Sequence, residues 1–188
     1  MSQQTGLPTR YHPALVALHW VLALLIIVAL MMGSIALDPI PESDPEKVNA
    51  LRSHMIAGAV ILVLMLIRLG VRLRTRHPAE ADIGQPTLNK LARPAHWLLY
   101  ICVFGLTASG IAMSVLGGLP PIVFGGSGDP LPLLDELPPR MAHGIFALAL
   151  AILIASHIAA AFYHEMVRHD GLISRMWFGK RQAEASER

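Results

Sequence analysis

Two histidines lie fourteen residues apart in one long apolar segment, MAHGIFALALAILIASHIAAAFYH, which spans residues 141–164. As an α-helix this segment would be about 36 Å long, which is enough to cross a bilayer. Helical geometry places His143 and His157 about 40° apart around the axis and roughly 21 Å apart along it. Ionisable side chains inside a membrane segment usually face the bundle interior, so both imidazoles are candidates for chemistry. The alternative is that each histidine is only hydrogen-bonded by a neighbouring helix.

The chemistry that suits such residues is the ligation of iron in haem. Two neutral imidazoles on opposite sides of the iron fill both axial positions and leave no site open for oxygen. Cofactor sites in helical bundles are commonly built from side chains on facing helices. The two histidines therefore indicate haem sites only if other helices supply histidine partners at the same two depths.

The composition indicates a chain that lies mostly in lipid. Of its 188 residues, 54% are hydrophobic and only 15% are charged, which is too apolar for a typical soluble domain. The formal net charge of +2 does not indicate a nucleic-acid partner, because basic residues in a membrane protein set its topology. The single cysteine, Cys102, excludes a disulfide within the chain, and no CxxCH motif for covalent haem attachment occurs.

Four apolar segments predict an all-α fold, an integral membrane four-helix bundle that forms a single domain over residues 1–188. The stretch DPIPESDPEK and the polar linker 75–94 are predicted to be loops, because proline and polar residues interrupt the apolar pattern. The Gly- and Pro-rich stretch 117–139 is too broken for a fifth spanning helix, and its piece 120–124 suits the membrane surface. The predicted helices cover about residues 14–37, 53–74, 95–116 and 141–164.

The distribution of basic residues predicts the orientation of the bundle. Twelve of the fifteen lysine and arginine residues fall on the side that holds both termini, so the chain is predicted to be N-in and C-in. In this orientation His19 and His157 lie toward the cytoplasmic side. His54 and His143 lie toward the outer side. The four helices thus supply an inner and an outer histidine pair, which suits two haem groups.

Other residues near the two pairs have possible roles that the sequence leaves open. Small residues beside the histidines, such as Gly58 and Gly144, suit close approach of a flat macrocycle or ordinary helix packing. His96 is an alternative partner in the inner pair, although a quinone hydrogen bond or an interfacial position also suits it. Haem propionates need cationic partners, for which Arg52, Arg68 and Arg140 have suitable depths, although Arg68 and Arg140 also suit interface anchors.

Several motifs together resemble the bacterial cytochrome b561 family. They are the His19-Trp20 pair, His54-x3-Gly58 followed by LIRLGVRL, the two histidines of the fourth helix, and Tyr163-His164 followed by DGLISRM. The resemblance covers residues 11–181. It implies a four-helix membrane protein with two b-type haems, each held by two histidines, that exchanges electrons with quinol and with a partner on the outer side. Residue by residue it implies that the haem-iron ligands are His19, His54, His143 and His157.

The sequence therefore predicts a dihaem b-type cytochrome of the bacterial inner membrane. It would transfer electrons between the quinone pool, with ubiquinone as a candidate substrate, and a periplasmic redox partner. One branch of the similar family oxidises superoxide at the outer face, which would require positive charge there. The outer loops offer only Lys47, Arg52 and Arg140 against seven acidic residues.

Two further alternatives belong to other functional classes. One is a haem-binding anchor subunit of a larger hydrogenase or dehydrogenase, whose partners would copurify. The other is a transporter that uses membrane histidines as a metal or proton relay. The transporter is disfavoured because the four predicted helices contain neither a carboxylate nor an internal proline.

Overall fold

The computed structural model describes residues 7–79 and 86–179, and these residues are almost entirely helical, with no β-strand among them. Four spans are long and apolar enough to cross a membrane: Pro13–Leu37, Pro45–Arg74, Arg93–Leu116 and Pro138–Arg168. The predicted all-α, four-helix membrane architecture is confirmed. The N-in and C-in orientation stays a prediction.

The first and the last of these spans each end in a π-helical turn that continues the α-helix. Three shorter helices lie outside the spans, two of them in the Gly- and Pro-rich connection and one after the last span. In chain order the elements are α1 (Pro13–Met31), a π turn (Met32–Leu37), α2 (Pro45–Arg74), α3 (Pro86–Leu116), α4 (Leu119–Val123), a 3-10 turn (Leu134–Glu136), α5 (Pro138–Tyr163), a second π turn (His164–Arg168) and α6 (Leu172–Arg175).

Helix α2 begins at Pro45 rather than at the predicted residue 53. The side chain of Asp44 accepts a hydrogen bond of 2.9 Å from the backbone N–H of Glu46, which is the usual role of an N-cap carboxylate. Proline at the next position has a backbone angle that is already suited to the first turn of a helix. The polar start of α2 therefore extends beyond the apolar stretch that hydropathy detects.

Helix α3 likewise begins at Pro86, whereas the sequence predicted a loop up to residue 94. The polar residues of this stretch mark the edge of the apolar span but do not end the helix, because several of them are good helix formers. As a result Pro94 lies inside α3. The prediction that no helix contains an internal proline was therefore wrong, and it no longer counts against a transporter.

The connection between α3 and α5 contains the five-residue helix α4, within the piece that was expected at the membrane surface. Its residues Leu119 and Val123 are buried, and they pack with Leu51 in a small second hydrophobic cluster. This connection therefore covers one end of the bundle with apolar side chains that face the protein.

The bundle consists of two helix pairs. Helix α3 packs most closely on α5, and α1 packs on α2, whereas the backbone of α5 hardly approaches α1 or α2. The main hydrophobic cluster draws buried side chains from all four spans, among them Leu22, Ile61, Val103 and Leu150. Side chains rather than close backbone contact therefore connect α5 to the first helix pair.

The two described ends of the chain meet at the same end of the bundle. The backbone N–H of Tyr11 donates to the carbonyl of Arg175 at 3.1 Å, and the guanidinium of Arg10 donates to the carbonyl of Ser174 at 2.7 Å. The indole of Trp20 in α1 donates to the carbonyl of Met176 at 2.9 Å. These bonds fix the segment after the last span against the start of the first.

Lys47, which is 4% exposed, stabilises the turn between α1 and α2. Its ammonium donates to the carbonyls of Leu37 at 3.0 Å and Ile40 at 2.6 Å. We expect Lys47→Met to destabilise the protein by about 1–2 kcal/mol, because two carbonyls would lose their donor. Thermal unfolding in detergent measures the effect.

The matched control for this prediction is Glu42→Gln. Glu42 lies 4.0 Å from the Lys47 ammonium, and its side chain is 36% exposed, so this ion pair should contribute less than about 1 kcal/mol. An unchanged melting temperature for the Lys47 variant would show that water replaces its two hydrogen bonds without loss.

Candidate functional site

The structure brings the four predicted histidines together as two pairs. The ring centroids of His19 in α1 and His157 in α5 are 6.2 Å apart. Those of His54 in α2 and His143 in α5 are also 6.2 Å apart. Each pair therefore joins α5 to a helix whose backbone it hardly contacts, at one of two depths in the bundle.

The separation within each pair suits a metal ion between the two rings. A bond from a metal to an imidazole nitrogen is about 2.0 Å, and the nitrogen lies about 1.1 Å from its ring centre. Two rings on opposite sides of one metal ion therefore have centroids about 6 Å apart. The ring planes cross at 78° in the first pair and at 69° in the second.

The set of ligands suits haem better than a bare metal ion. Within residues 7–79 and 86–179, no group of three or more His, Cys, Asp or Glu side chains could hold a metal ion. Haem iron needs only two ligands from the protein, because the porphyrin supplies the others. Two imidazole pairs in apolar surroundings, the first with His96 beside it, therefore fit haem.

His143 is held by a side chain of α3. Its Nδ1 lies 3.1 Å from the hydroxyl of Ser109, and this hydroxyl donates to the carbonyl of Leu106 at 2.9 Å. Ser109 is buried, so these polar atoms satisfy one another away from solvent. The sequence did not identify Ser109, because no motif showed which side of α3 faces His143.

His54 has different surroundings. Its Nδ1 is buried and has no hydrogen-bond partner among the described residues. A Cβ built at Gly33, in the π turn after α1, would lie 3.2 Å from Cε1 of His54. Glycine at residue 33 therefore leaves the room that this imidazole occupies, and the sequence did not predict that role.

Two further glycines relate to the same histidine pair. A Cβ at Gly110 would lie 3.3 Å from Cε1 of His143, so α3 approaches this ring closely. A Cβ at Gly58, one turn after His54, would meet no atom within 4 Å. Protein packing therefore does not explain Gly58, and its predicted role beside a flat macrocycle stays a prediction.

His96 lies close to the pair formed by His19 and His157. Its ring centroid is 5.5 Å from that of His157, compared with 6.2 Å for His19. His96 is exposed, whereas both members of the pair are partly buried. The structure thus keeps His96 beside the pair, where both a ligand and a quinone-binding role remain geometrically open.

The arginines considered for haem propionates all have protein partners. Arg52 donates to the carbonyl of Val123 at 2.7 Å, and Arg68 donates to the carbonyl of Leu15 at 2.8 Å. Arg140 pairs with two carboxylates, Asp38 at 2.7 Å and Asp135 at 3.0 Å. Their role toward propionates stays a prediction.

Two histidines outside the pairs, His12 and His164, have specific partners. His12 accepts a hydrogen bond from the backbone N–H of Ala14 and so caps α1. His164 lies 2.6 Å from a carboxylate oxygen of Asp170. Desolvation raises the pKa of Asp170, but hydrogen bonds from His164 and from the backbone of Leu172, with nearby positive charge, lower that pKa overall.

Comparison with known proteins gives matches along nearly the whole chain. The model of the prokaryotic cytochrome b561 family matches residues 10–179. A protein of Yersinia pestis named "Probable superoxide oxidase CybB" is 30% identical, over 92% of this chain and 98% of that protein. "Cytochrome b561 homolog 2" of Escherichia coli K12 is 25% identical over 92% and 93%, and "Cytochrome b562" of Cereibacter sphaeroides is 27% identical over 94% and 98%.

The close fit of Gly33 against His54 can be tested. We expect Gly33→Ala to displace the imidazole at a cost of about 1 kcal/mol, which is roughly a fivefold loss of affinity for a group held between His54 and His143. The haem content of the purified variant and its spectrum measure this loss.

Gly70→Ala is the control, since a Cβ there would meet only the guanidinium of Arg74 at an ordinary 3.6 Å. Equal haem content in the two variants would show that the ring position at His54 does not depend on Gly33.

Proposed function

The chain belongs to the prokaryotic cytochrome b561 family, the membrane proteins that bind b-type haem and transfer electrons, and from this premise we propose its specific role. It is a dihaem cytochrome of the bacterial inner membrane that transfers electrons between the quinone pool and a periplasmic redox partner. His19 and His157 would hold one haem, and His54 and His143 would hold the other.

The observation that carries this proposal is the equal separation of the two histidine pairs. Both have ring centroids 6.2 Å apart, the spacing expected for one iron between two imidazoles. A short ring separation alone does not identify a ligand, because the His96 ring lies 5.5 Å from that of His157. Finding the same geometry twice, on three different helices, favours ligation over simple packing.

Haem b, when bound, supplies a one-electron redox centre at each pair. The four histidines would hold the two groups, and apolar side chains surround each pair. With two imidazoles at each haem, electrons would pass by outer-sphere transfer. The buried Leu22 and Leu150 of the main cluster help to exclude water from the bundle.

The positions of the two pairs define an electron path across the membrane. Fourteen residues of α5 separate His143 from His157, which corresponds to roughly 21 Å along the helix. The excess of basic residues at the end that holds both termini favours that end as cytoplasmic. His19 and His157 then lie on the inner side, and His54 and His143 face the periplasmic partner.

Alanine variants of the four ligands test the pairing. We expect the unaltered protein to show a b-type spectrum with about two haems per chain, because each bis-histidine pair holds one. His19→Ala and His157→Ala should deplete the same haem, and His54→Ala and His143→Ala the other. Reduced-minus-oxidised spectra and pyridine haemochrome quantification measure the result.

His96→Ala is the control for these variants, because His96 lies beside the inner pair without belonging to it in the proposal. It should keep both haems, and a loss of the inner haem would make His96 a ligand in place of His19. Depletion of one and the same haem by His19→Ala and His54→Ala would overturn the proposed pairing. A larger complex that copurifies stoichiometrically would instead favour an anchor subunit.

A second candidate function is the oxidation of superoxide coupled to ubiquinone reduction. The observation that favours it is the relative named "Probable superoxide oxidase CybB", which is 30% identical over almost the whole chain. The structure gives it less support, because the outer basic residues are already engaged. Arg140 pairs with Asp38 and Asp135, and the buried Lys47 donates to backbone carbonyls.

Haem reduction by superoxide and by a quinol distinguishes the two functions. Since the outer cations are engaged, we expect superoxide to reduce the haems of the purified protein at least about tenfold more slowly than a ubiquinol analogue does. Stopped-flow absorbance at the b-type α-band measures both rates. Fast reduction by superoxide that slows with added salt and in Arg140→Gln would establish the second function instead.

A further inference from the structure

We propose that Ser109 is a positioning residue for the outer haem, holding the His143 imidazole in the tautomer and orientation that ligation requires. This inference rests on the proposed role of His143 as a ligand. It assigns a function to α3, the one span that supplies no ligand in the proposal.

The hydrogen bonds around Ser109 determine which atom donates. A serine hydroxyl has a single proton, and that of Ser109 is given to the carbonyl of Leu106 at 2.9 Å. With the hydroxyl proton directed to Leu106, the Ser109 oxygen accepts in the 3.1 Å contact with His143 and Nδ1–H of the imidazole donates, which is the tautomer that ligation through Nε2 requires. A neutral imidazole with its proton on Nδ1 has its lone pair on Nε2. The free Nε2 is the atom that an axial ligand offers to haem iron.

The next residue of α3 limits the position of the same ring. Gly110 approaches His143 so closely that a Cβ there would lie 3.3 Å from Cε1. Ser109 is 8% exposed, so water competes little for the hydroxyl. A hydrogen bond at Nδ1 and a close backbone at Cε1 together fix how the ring is turned.

The partner ligand has no such support. Nδ1 of His54 is buried without a hydrogen-bond partner among residues 7–79 and 86–179. The outer pair is therefore asymmetric, with one imidazole made more basic by a hydrogen bond to Ser109. A more basic ligand favours the oxidised iron, so the Ser109 bond should lower the reduction potential of this haem.

The experiment compares the full-length holoprotein with Ser109→Ala and Ser109→Thr. A threonine hydroxyl can donate to a carbonyl one turn earlier as serine does, so it should restore the bond. Ser156→Ala is the matched control, because Ser156 adjoins another proposed ligand but donates only to the carbonyl of Ile152 in its own helix, at 2.8 Å. Redox titration at the α-band, low-spin electron paramagnetic resonance and haem retention are measured for each protein.

In Ser109→Ala we expect the outer haem to have a higher reduction potential and altered g values. We also expect about tenfold weaker retention of this haem, while the inner haem stays unchanged. The component that disappears in His143→Ala identifies the outer haem. Ser109→Thr should resemble the unaltered protein, and Ser156→Ala should leave both components in place.

Two results would overturn the role of Ser109 while leaving the proposed function in place. The first is an outer haem whose reduction potential, g values and retention stay unchanged in Ser109→Ala. The second is an equal change of both haems in Ser109→Ala and Ser156→Ala. If the unaltered protein lacked haem at His54 and His143, the proposed function would fail and this inference with it. Haem quantification of the unaltered protein therefore separates the two failures.

Discussion

The imidazoles of α5 contact those of α1 and α2, and so link the two helix pairs through helices whose backbones hardly approach one another. Lipid provides no strong hydrophobic force between helices, so side-chain packing and polar contacts must supply the association. Iron bonded to both rings of a pair would connect the two halves directly. In the proposed dihaem protein the cofactor is therefore part of the architecture as well as of the chemistry.

Most other polar side chains of the spans are satisfied by backbone carbonyls. The hydroxyls of Ser34, Thr107 and Ser156 donate to carbonyls three or four residues earlier in their own helices, and Arg68 donates to the carbonyl of Leu15. Such bonds remove the cost of a polar group in lipid without creating a binding site. The histidine pairs differ because their rings meet one another, which is the arrangement that the proposed haem ligation requires.

The sequence predicted the features that depend on distance along a helix. Apolar length identified the four spans, and the fourteen-residue spacing with alternating direction identified which histidines share a depth. The sequence did not predict which side chains of one helix face a neighbouring helix, or where a capping residue begins a helix. Ser109 and Gly33 became visible only when the helices were packed, and the early start of α2 depends on Asp44, which hydropathy does not detect.

Each histidine pair takes one ring from α5, which follows the other three described spans along the chain. The first three spans can enter the membrane as the chain leaves the ribosome, but neither pair exists until α5 follows them. Under the proposed ligation, both haem sites would be completed together, after a period in which His19 and His54 lie in the membrane without their partners. Haem loading would then follow insertion, and a chain that stalls before α5 would be inserted yet unable to bind haem in this way.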